Sequence, residues 1–384
     1  MAREIVYILP NAMGGVAGVV SNLIRFSTHP DIHKKVILTG PCNYKLASIA
    51  DFGTAEVIAI PQRNPWIESR YSYARKIAAH LSFDSVIVSN DGFPEYSMIE
   101  MLGLINPVIA VLHGDNPHYF RGACRYGYLI DKMICVSSYL EKKAKSSFVS
   151  TVNPLFIPFP TPDAITKPKD FNGKLKISYA GAITASKGCE YFPSVISSLD
   201  KKGIDYEFNI FGQGDLLQSL RQQLACNNRV VFHGPQPNKV ILQALVHTHV
   251  TIHLSKNEGL PVCLVEAMKS GSVPVVFDLP TGIHDIIDHN INGYIFPQGD
   301  IANIVNQIEL LDRDRKLLES RSKEAMAKAN SMFSPRIQTT EYERIILETE
   351  SNPGKFDNIQ SSLKKSIFQK LPIKLTETWQ KIVK

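Results

Sequence analysis

"VTIHLSKNEGLPVCLVEAMKSGSVPVVFD", residues 250–278, reads as strand, loop, helix and strand. VTIHLS and VPVVFD are the strands, each closing on a polar residue. Between them, Pro261 suits the first helical position, where a missing N–H costs nothing. Gly271 suits the helix stop. Glu258 then precedes the helix and Glu266 lies within its first two turns. N–H groups left free around Leu260–Leu264 carry the positive end of the helix dipole, a site suited to a diphosphate. Glu266 can accept two hydrogen bonds from a ribose diol, as the acidic residue of dinucleotide folds does. Glu258 would face whatever the diphosphate carries. The plain alternative is a pair of solvated helix carboxylates, but the glycine, the proline, the small-residue stop and the following strand favour a site.

The same alternation runs through the chain. EIVYILP, KVILTG, EVIAIP, SVIVSND, PVIAVLHG and KMICVSS are strands in the first half. Stretches long enough for helices, such as Val19–Phe26, Tyr71–Leu81 and Ser138–Ser146, lie between most of them. Residues 150–172 carry prolines at 154, 158, 160, 162 and 168 and read as a linker. KISYAGA, EFNIFGQG, RVVFHGP, VTIHLSK, VPVVFD and GYIFP then restart the pattern. The expected class is α/β, with two Rossmann-like doubly wound domains facing across a cleft. The expected boundaries are 1–165, 166–335, and 336–384 for C-terminal helices returning to the first domain. A length of 384 residues fits two cores.

Composition excludes several classes. Apolar residues make up 44% and charged residues 20%, as in a soluble globular protein. A formal charge of +6, from 42 basic and 36 acidic residues, is compatible with anionic ligands and too small to argue for nucleic acid. Six scattered cysteines make neither a CxxC pair nor a zinc spacing, so idle thiols in a reducing cytosol are expected. MAREIVYILP is too short for a signal peptide and reads as a first strand. The expected location is cytoplasmic. From 355 to 384 seven lysines face only Asp357 and Glu377, with apolar residues at 363, 367 and 371. That basic amphipathic tail suits either the protein's own surface or an anionic membrane face.

The stretch from Val230 to Asp300, with seven residues between its two glutamates as E-x7-E, resembles the retaining GT-B glycosyltransferases of family 4. The likeness covers nearly all of the second domain and, more loosely, the first. It implies that Glu266 holds the ribose, that Glu258 contacts the donor sugar, and that the amides of Gly259 and Leu260 meet sugar and phosphate. Lys187, in YAGAITASKG, is implied to neutralise the leaving diphosphate. An arginine usual five residues earlier is here Ala182. His113, at a strand's end in IAVLHGDNPH, is implied to lie near the donor sugar and the attacking hydroxyl, with Asp115 and His118 as weaker neighbours. Gly14 and Gly15, in a loop whose glycines do not make GxGxxG, are implied to line the cleft and to bind the donor, touching its phosphate or the acceptor. Gly212 and Gly214 of FGQGD, with His233 and Gly234 of FHGP, resemble the base-binding edge.

The implied reaction moves a sugar from a UDP- or GDP-linked donor to a glycan or lipid-linked acceptor, in bacterial cell-surface polysaccharide or lipopolysaccharide synthesis. No metal and no cofactor is expected: Asp312 and Asp314 of LLDRDRKLLE sit in a charged helix and not in a metal-binding loop. A nucleotide-sugar 2-epimerase or hydrolase of the same fold, a Rossmann dehydrogenase and a catalytically silent binding module are the alternatives.

Overall fold

The computed structural model describes residues 3–11, 14–41, 51–62, 67–90, 93–115, 117–147, 152–164, 168–352, 354, 355, 357 and 359. The chain divides into two compact units, Met1–Pro160 with Pro335–Lys384, and Thr161–Ser334. Most of the basic tail lies outside the described residues.

The first unit holds a seven-stranded sheet of β1 (Arg3–Pro10), β2 (Ile32–Pro41), β3 (Glu56–Gln62), β4 (Val86–Asn90), β5 (Val108–Leu112), β6 (Lys132–Cys135) and β7 (Pro154–Phe156). Every neighbouring pair is parallel, in the order β3-β2-β1-β4-β5-β6-β7. Ile5, Val6, Tyr7, Ile8 and Leu9 are consecutive and all buried, so helices cover both faces of β1. β7 corrects the reading of 150–172 as linker. It pairs with β6 at the sheet edge, where Pro154 can open a strand because no partner needs its missing N–H.

The second unit holds β8 (Leu175–Ala180), β9 (Tyr206–Phe211), β10 (Val230–Gly234), β11 (Val250–His253), β12 (Val273–Phe277) and β13 (Tyr294–Phe296). They are parallel in the order β10-β9-β8-β11-β12-β13. The crossover helix Phe192–Lys201 shows why. Phe192, Val195, Ile196 and Leu199 recur at helical spacing and are fully buried. The Phe192 ring meets Tyr179 and Phe208 edge-on at 5.1 and 5.3 Å, which seats the helix on β8 and β9. In each sheet the order reverses once, between β1 and β4 and between β8 and β11. Ligands of such sheets bind beyond the carboxyl ends of the strands at that reversal.

The helix Pro335–Glu348 belongs to the first unit although it follows the second in sequence. Tyr342 Oη donates to the Ile157 carbonyl at 3.3 Å, Ser27 donates to Glu343, and Arg3 Nη2 donates to the Thr349 carbonyl at 2.5 Å. Beyond it, Lys355 is buried against Asp131, with Nζ also 3.0 Å from the Asn106 carbonyl. In the second unit a single buried ammonium ties the two ends together. Lys269 Nζ donates to the Thr161 carbonyl at 2.8 Å, Asp163 Oδ1 at 2.9 Å and the Phe333 carbonyl at 3.1 Å. The Thr161 amide also donates to Phe333, at 3.3 Å. Among the described residues no helix is long and apolar enough to cross a membrane.

Candidate active site

The reversal between β8 and β11 is where the second unit gathers its ionisable side chains. The loop after β8 carries Lys187 and the loop after β11 carries Glu258. Their approach depends on Gly188, whose φ of +69° is left-handed. A Cβ there would lie 1.7 Å from the Leu254 carbonyl oxygen, so only glycine lets the two loops touch. Gly212, at φ +132°, does the same beside Gly181, whose carbonyl oxygen would sit 1.8 Å from an added Cβ.

With the loops in contact, Lys187 Nζ lies 2.6 Å from Glu258 Oε1. His253 Nε2 reaches the same oxygen at 2.9 Å and Ser255 Oγ at 2.8 Å. His253 and Ser255 are two apart at the end of β11, so both project toward one side. Burial alone would raise the Glu258 carboxyl, but the His253 hydrogen bond and charge, followed by those of Lys187, bring it down to about 2. Burial pushes His253 down too, but bonds with Cys263 and Glu258 and their charges outweigh it and hold the ring at about 9.

The helix is Val262–Lys269, so Pro261 is its N-cap and not its first residue. With ψ at 115° Pro261 is extended, and its carbonyl accepts from Leu264 at 3.2 Å and Val265 at 3.3 Å. The Leu264 N–H is therefore spent, and within the helix Val262 and Cys263 carry the unspent donors among the described residues. Glu266 is buried one turn in, accepting from Asn238 Nδ2 at 2.8 Å. Burial, only partly offset by that bond, raises its carboxyl to about 7. Leu260 is buried, and the Gly259 carbonyl accepts from the Gly282 amide at 3.0 Å.

At the ends of β9 and β10 the Gly212 amide donates to the Gly234 carbonyl at 2.8 Å. The His233 ring stacks on Phe211 at 4.3 Å and 8°, with Nε2 2.6 Å from Asn209 Oδ1.

Gly14, Gly15 and His113 belong to the first unit. Gly14 caps the helix Gly15–Arg25, and a Cβ there would meet nothing within 4 Å, so packing does not require the glycine. His113 follows β5 with Nε2 3.0 Å from Asn90 Oδ1. Burial lowers its ring to about 3, so it is neutral at pH 7. Asp115 is occupied by Tyr139 Oη at 2.7 Å and by Lys143. The His118 side chain lies outside the described residues. Asp314 caps the next helix at the Leu317 amide, 2.9 Å away, and Asp312 accepts from Arg315. Among the described residues no three His, Cys, Asp or Glu side chains are placed to hold a metal.

Asn238, His253, Ser255 and Cys263 are the site neighbours that motif reading passed over. His253 and Ser255 carried a signal, two polar residues alternating into the loop before Glu258. Asn238 carried none, since it reaches Glu266 from 28 positions upstream.

Comparison with known proteins agrees with this geometry. Residues 162–328 match the family described as glycosyl transferases group 1. The Escherichia coli lipopolysaccharide 1,6-galactosyltransferase is 24% identical over 210 residues, 53% of this chain; the chain spans 58% of that relative's length. Staphylococcus aureus TarM, solved as a mutant with fondaparinux, alpha-GlcNAc-glycerol and UDP, superimposes with a TM-score of 0.76 at 12% identity, over 90% of this chain and 99% of its own. Anabaena HepE in complex with UDP-glucose gives 0.74 at 14%, over the same shares. Residues 162–328 thus resemble a glycosyl transferases group 1 domain, in a chain with the GT-B fold.

Proposed function

We propose that the protein is a glycosyltransferase that moves a sugar from a nucleotide-diphosphate donor to an acceptor hydroxyl with retention at the anomeric carbon. The observation that carries the reading is the convergence of Lys187 and Glu258 at the β8/β11 reversal, with Glu266 buried one turn into the helix that follows. In this reading Glu266 accepts from the ribose hydroxyls, the amides at the helix start and Lys187 take the diphosphate, and Glu258 faces the sugar. Gly212, His233 and Gly234 border the base. The sugar's C1–O bond to the diphosphate breaks as the acceptor oxygen bonds to C1, and the acceptor's proton passes to the departing phosphate oxygen. Lys187 and the helix start stabilise the charge that develops there, so no protein nucleophile and no metal is required. His113, neutral, is assigned to the acceptor's side of the reaction in the first unit. Gly14 and Gly15 give a ligand backbone-close access to the first unit, which holds the acceptor.

The name of the Escherichia coli relative supports a role in bacterial lipopolysaccharide or polysaccharide synthesis; a glycan or lipid-linked acceptor and work at the cytoplasmic membrane face belong to the same proposal. UDP in two fold neighbours favours a UDP-sugar over a GDP-sugar. A thermal-shift panel of UDP-, GDP- and ADP-sugars tests the reading, since a ligand bound only by the folded state raises the melting temperature. One nucleotide series should shift the protein by several degrees, and EDTA should leave that shift unchanged. A panel without any shift would remove the donor site, and loss of the shift in EDTA would remove the metal-free assignment.

A further inference from the structure

Every hydrogen bond that the described residues offer Glu258 converges on one oxygen. Oε1 takes Lys187 at 2.6 Å, His253 at 2.9 Å and Ser255 at 2.8 Å, and Oε2 takes none of them. His253 is itself fixed. Its side chain is 3% exposed, its ring lies 6.3 Å from that of Tyr179 at 25°, and Ser255 Oγ is 3.0 Å from Nε2. Lys187 is the looser partner: its side chain is 29% exposed, while that of Glu258 is 11% exposed. One carboxylate thus has two cationic partners, an immobile buried one and a long flexible one that reaches solvent.

We propose that His253 is a positioning residue that holds and neutralises Glu258, so that Lys187 can leave the carboxylate for the donor's diphosphate while Oε2 stays open to a sugar hydroxyl. The inference rests on the reading of this site as one for a nucleotide sugar. If Lys187 were Glu258's only cation, its departure would strand a buried negative charge, and diphosphate binding would have to carry that cost. With His253 in place the carboxylate keeps a partner in both states. The titratable groups facing His253 are Glu258, Cys263 and Tyr179, and Ser255 is the polar neighbour. Of these only Glu258 is read as meeting the ligand.

The test is calorimetric titration of the full chain with UDP, GDP and ADP, followed by variants with the nucleotide that binds. His253→Ala should weaken nucleoside diphosphate binding at least tenfold, because Lys187 is then held on Glu258. His253→Ala combined with Glu258→Gln should return that affinity to within about twofold of the parent, because the amide no longer retains the lysine. A merely structural histidine predicts no such rescue, and melting curves of all three proteins register any loss of fold. Unchanged affinity in His253→Ala, or a loss that persists in the double variant, overturns the inference alone. A parent protein that binds none of the three overturns the reading of the site and the inference with it.

Discussion

Glu266→Gln should melt at a higher temperature than the parent at pH 8 and should lose the donor-induced shift entirely. Both halves follow from one buried carboxyl. In the folded protein burial raises Glu266 from an ordinary 4.5 to about 7, with only Asn238 to offset it. The folded state therefore binds the proton more tightly than the unfolded chain does. Below 4.5 the group is protonated in both states and costs nothing. Between 4.5 and 7 the fold loses stability as pH rises, and above 7 the full cost is felt. At ~1.4 kcal/mol per pH unit that cost is on the order of 3 kcal/mol. The amide removes it, which for a unit of this size raises the melting temperature by roughly 6–12 °C.

The same charge is what a ribose diol needs, since a carboxylate offers two charged acceptor oxygens to the two hydroxyls, whereas an amide offers one neutral oxygen and turns a donating NH2 toward the other. Donor affinity of the parent should accordingly fall about tenfold per pH unit below 7, as protonation competes with the sugar. Melting curves at pH 5 and pH 8, with and without the donor that binds, check both effects. Equal melting at pH 8 would remove the cost assigned to burial. A donor shift that survives the substitution would take Glu266 out of the ribose role.

Lys355→Met should cost the first unit about 3 kcal/mol, the lower end of the range for breaking a buried ion pair. Lys355 is fully buried, its partner Asp131 is 4% exposed, and the Asn106 carbonyl depends on the same ammonium. The loss is held to the lower end because Asp131 keeps two backbone donors, the Val108 and Asn352 amides, each at 2.7 Å. Asp131→Asn in the Lys355→Met background should then cost less than it does alone, as coupled partners do. Urea unfolding of the two single variants and the double variant measures the coupling. A single-variant loss below 1 kcal/mol would show that the pair is not what secures Asn352 and Lys355.

Much of this architecture is legible in the chain because buried parallel strands are written as continuous β-branched runs. IVYIL at 5–9 and VPVVF at 273–277 admit few other readings. β7 was not, since five prolines in 150–172 resemble a connector, and a strand of three residues at a sheet edge needs only one partner to accept it. The two glutamates and Lys187 stand out through local company: a glycine that must be left-handed, a capping proline, a small-residue stop. His253 and Asn238 were obscured for a different reason. A side chain that acts by gripping another has no spacing rule of its own, and its role appears only when the partner's free oxygens are counted. Pro261 was misplaced by one position because its fixed φ suits both the cap and the first turn, and only ψ separates them.

The ends of the second unit meet at Thr161 and Phe333 under the Lys269 ammonium, so that whole unit is an insertion within the first. During synthesis the helix 335–348, which the first sheet uses as a cover, leaves the ribosome only after the inserted unit has emerged. The early strands must wait, incompletely clad, while the later ones fold. A nascent chain stalled with residue 334 at the tunnel exit should show a protease-resistant second unit and a still-cleavable first, and resistance of both at that length would refute this order.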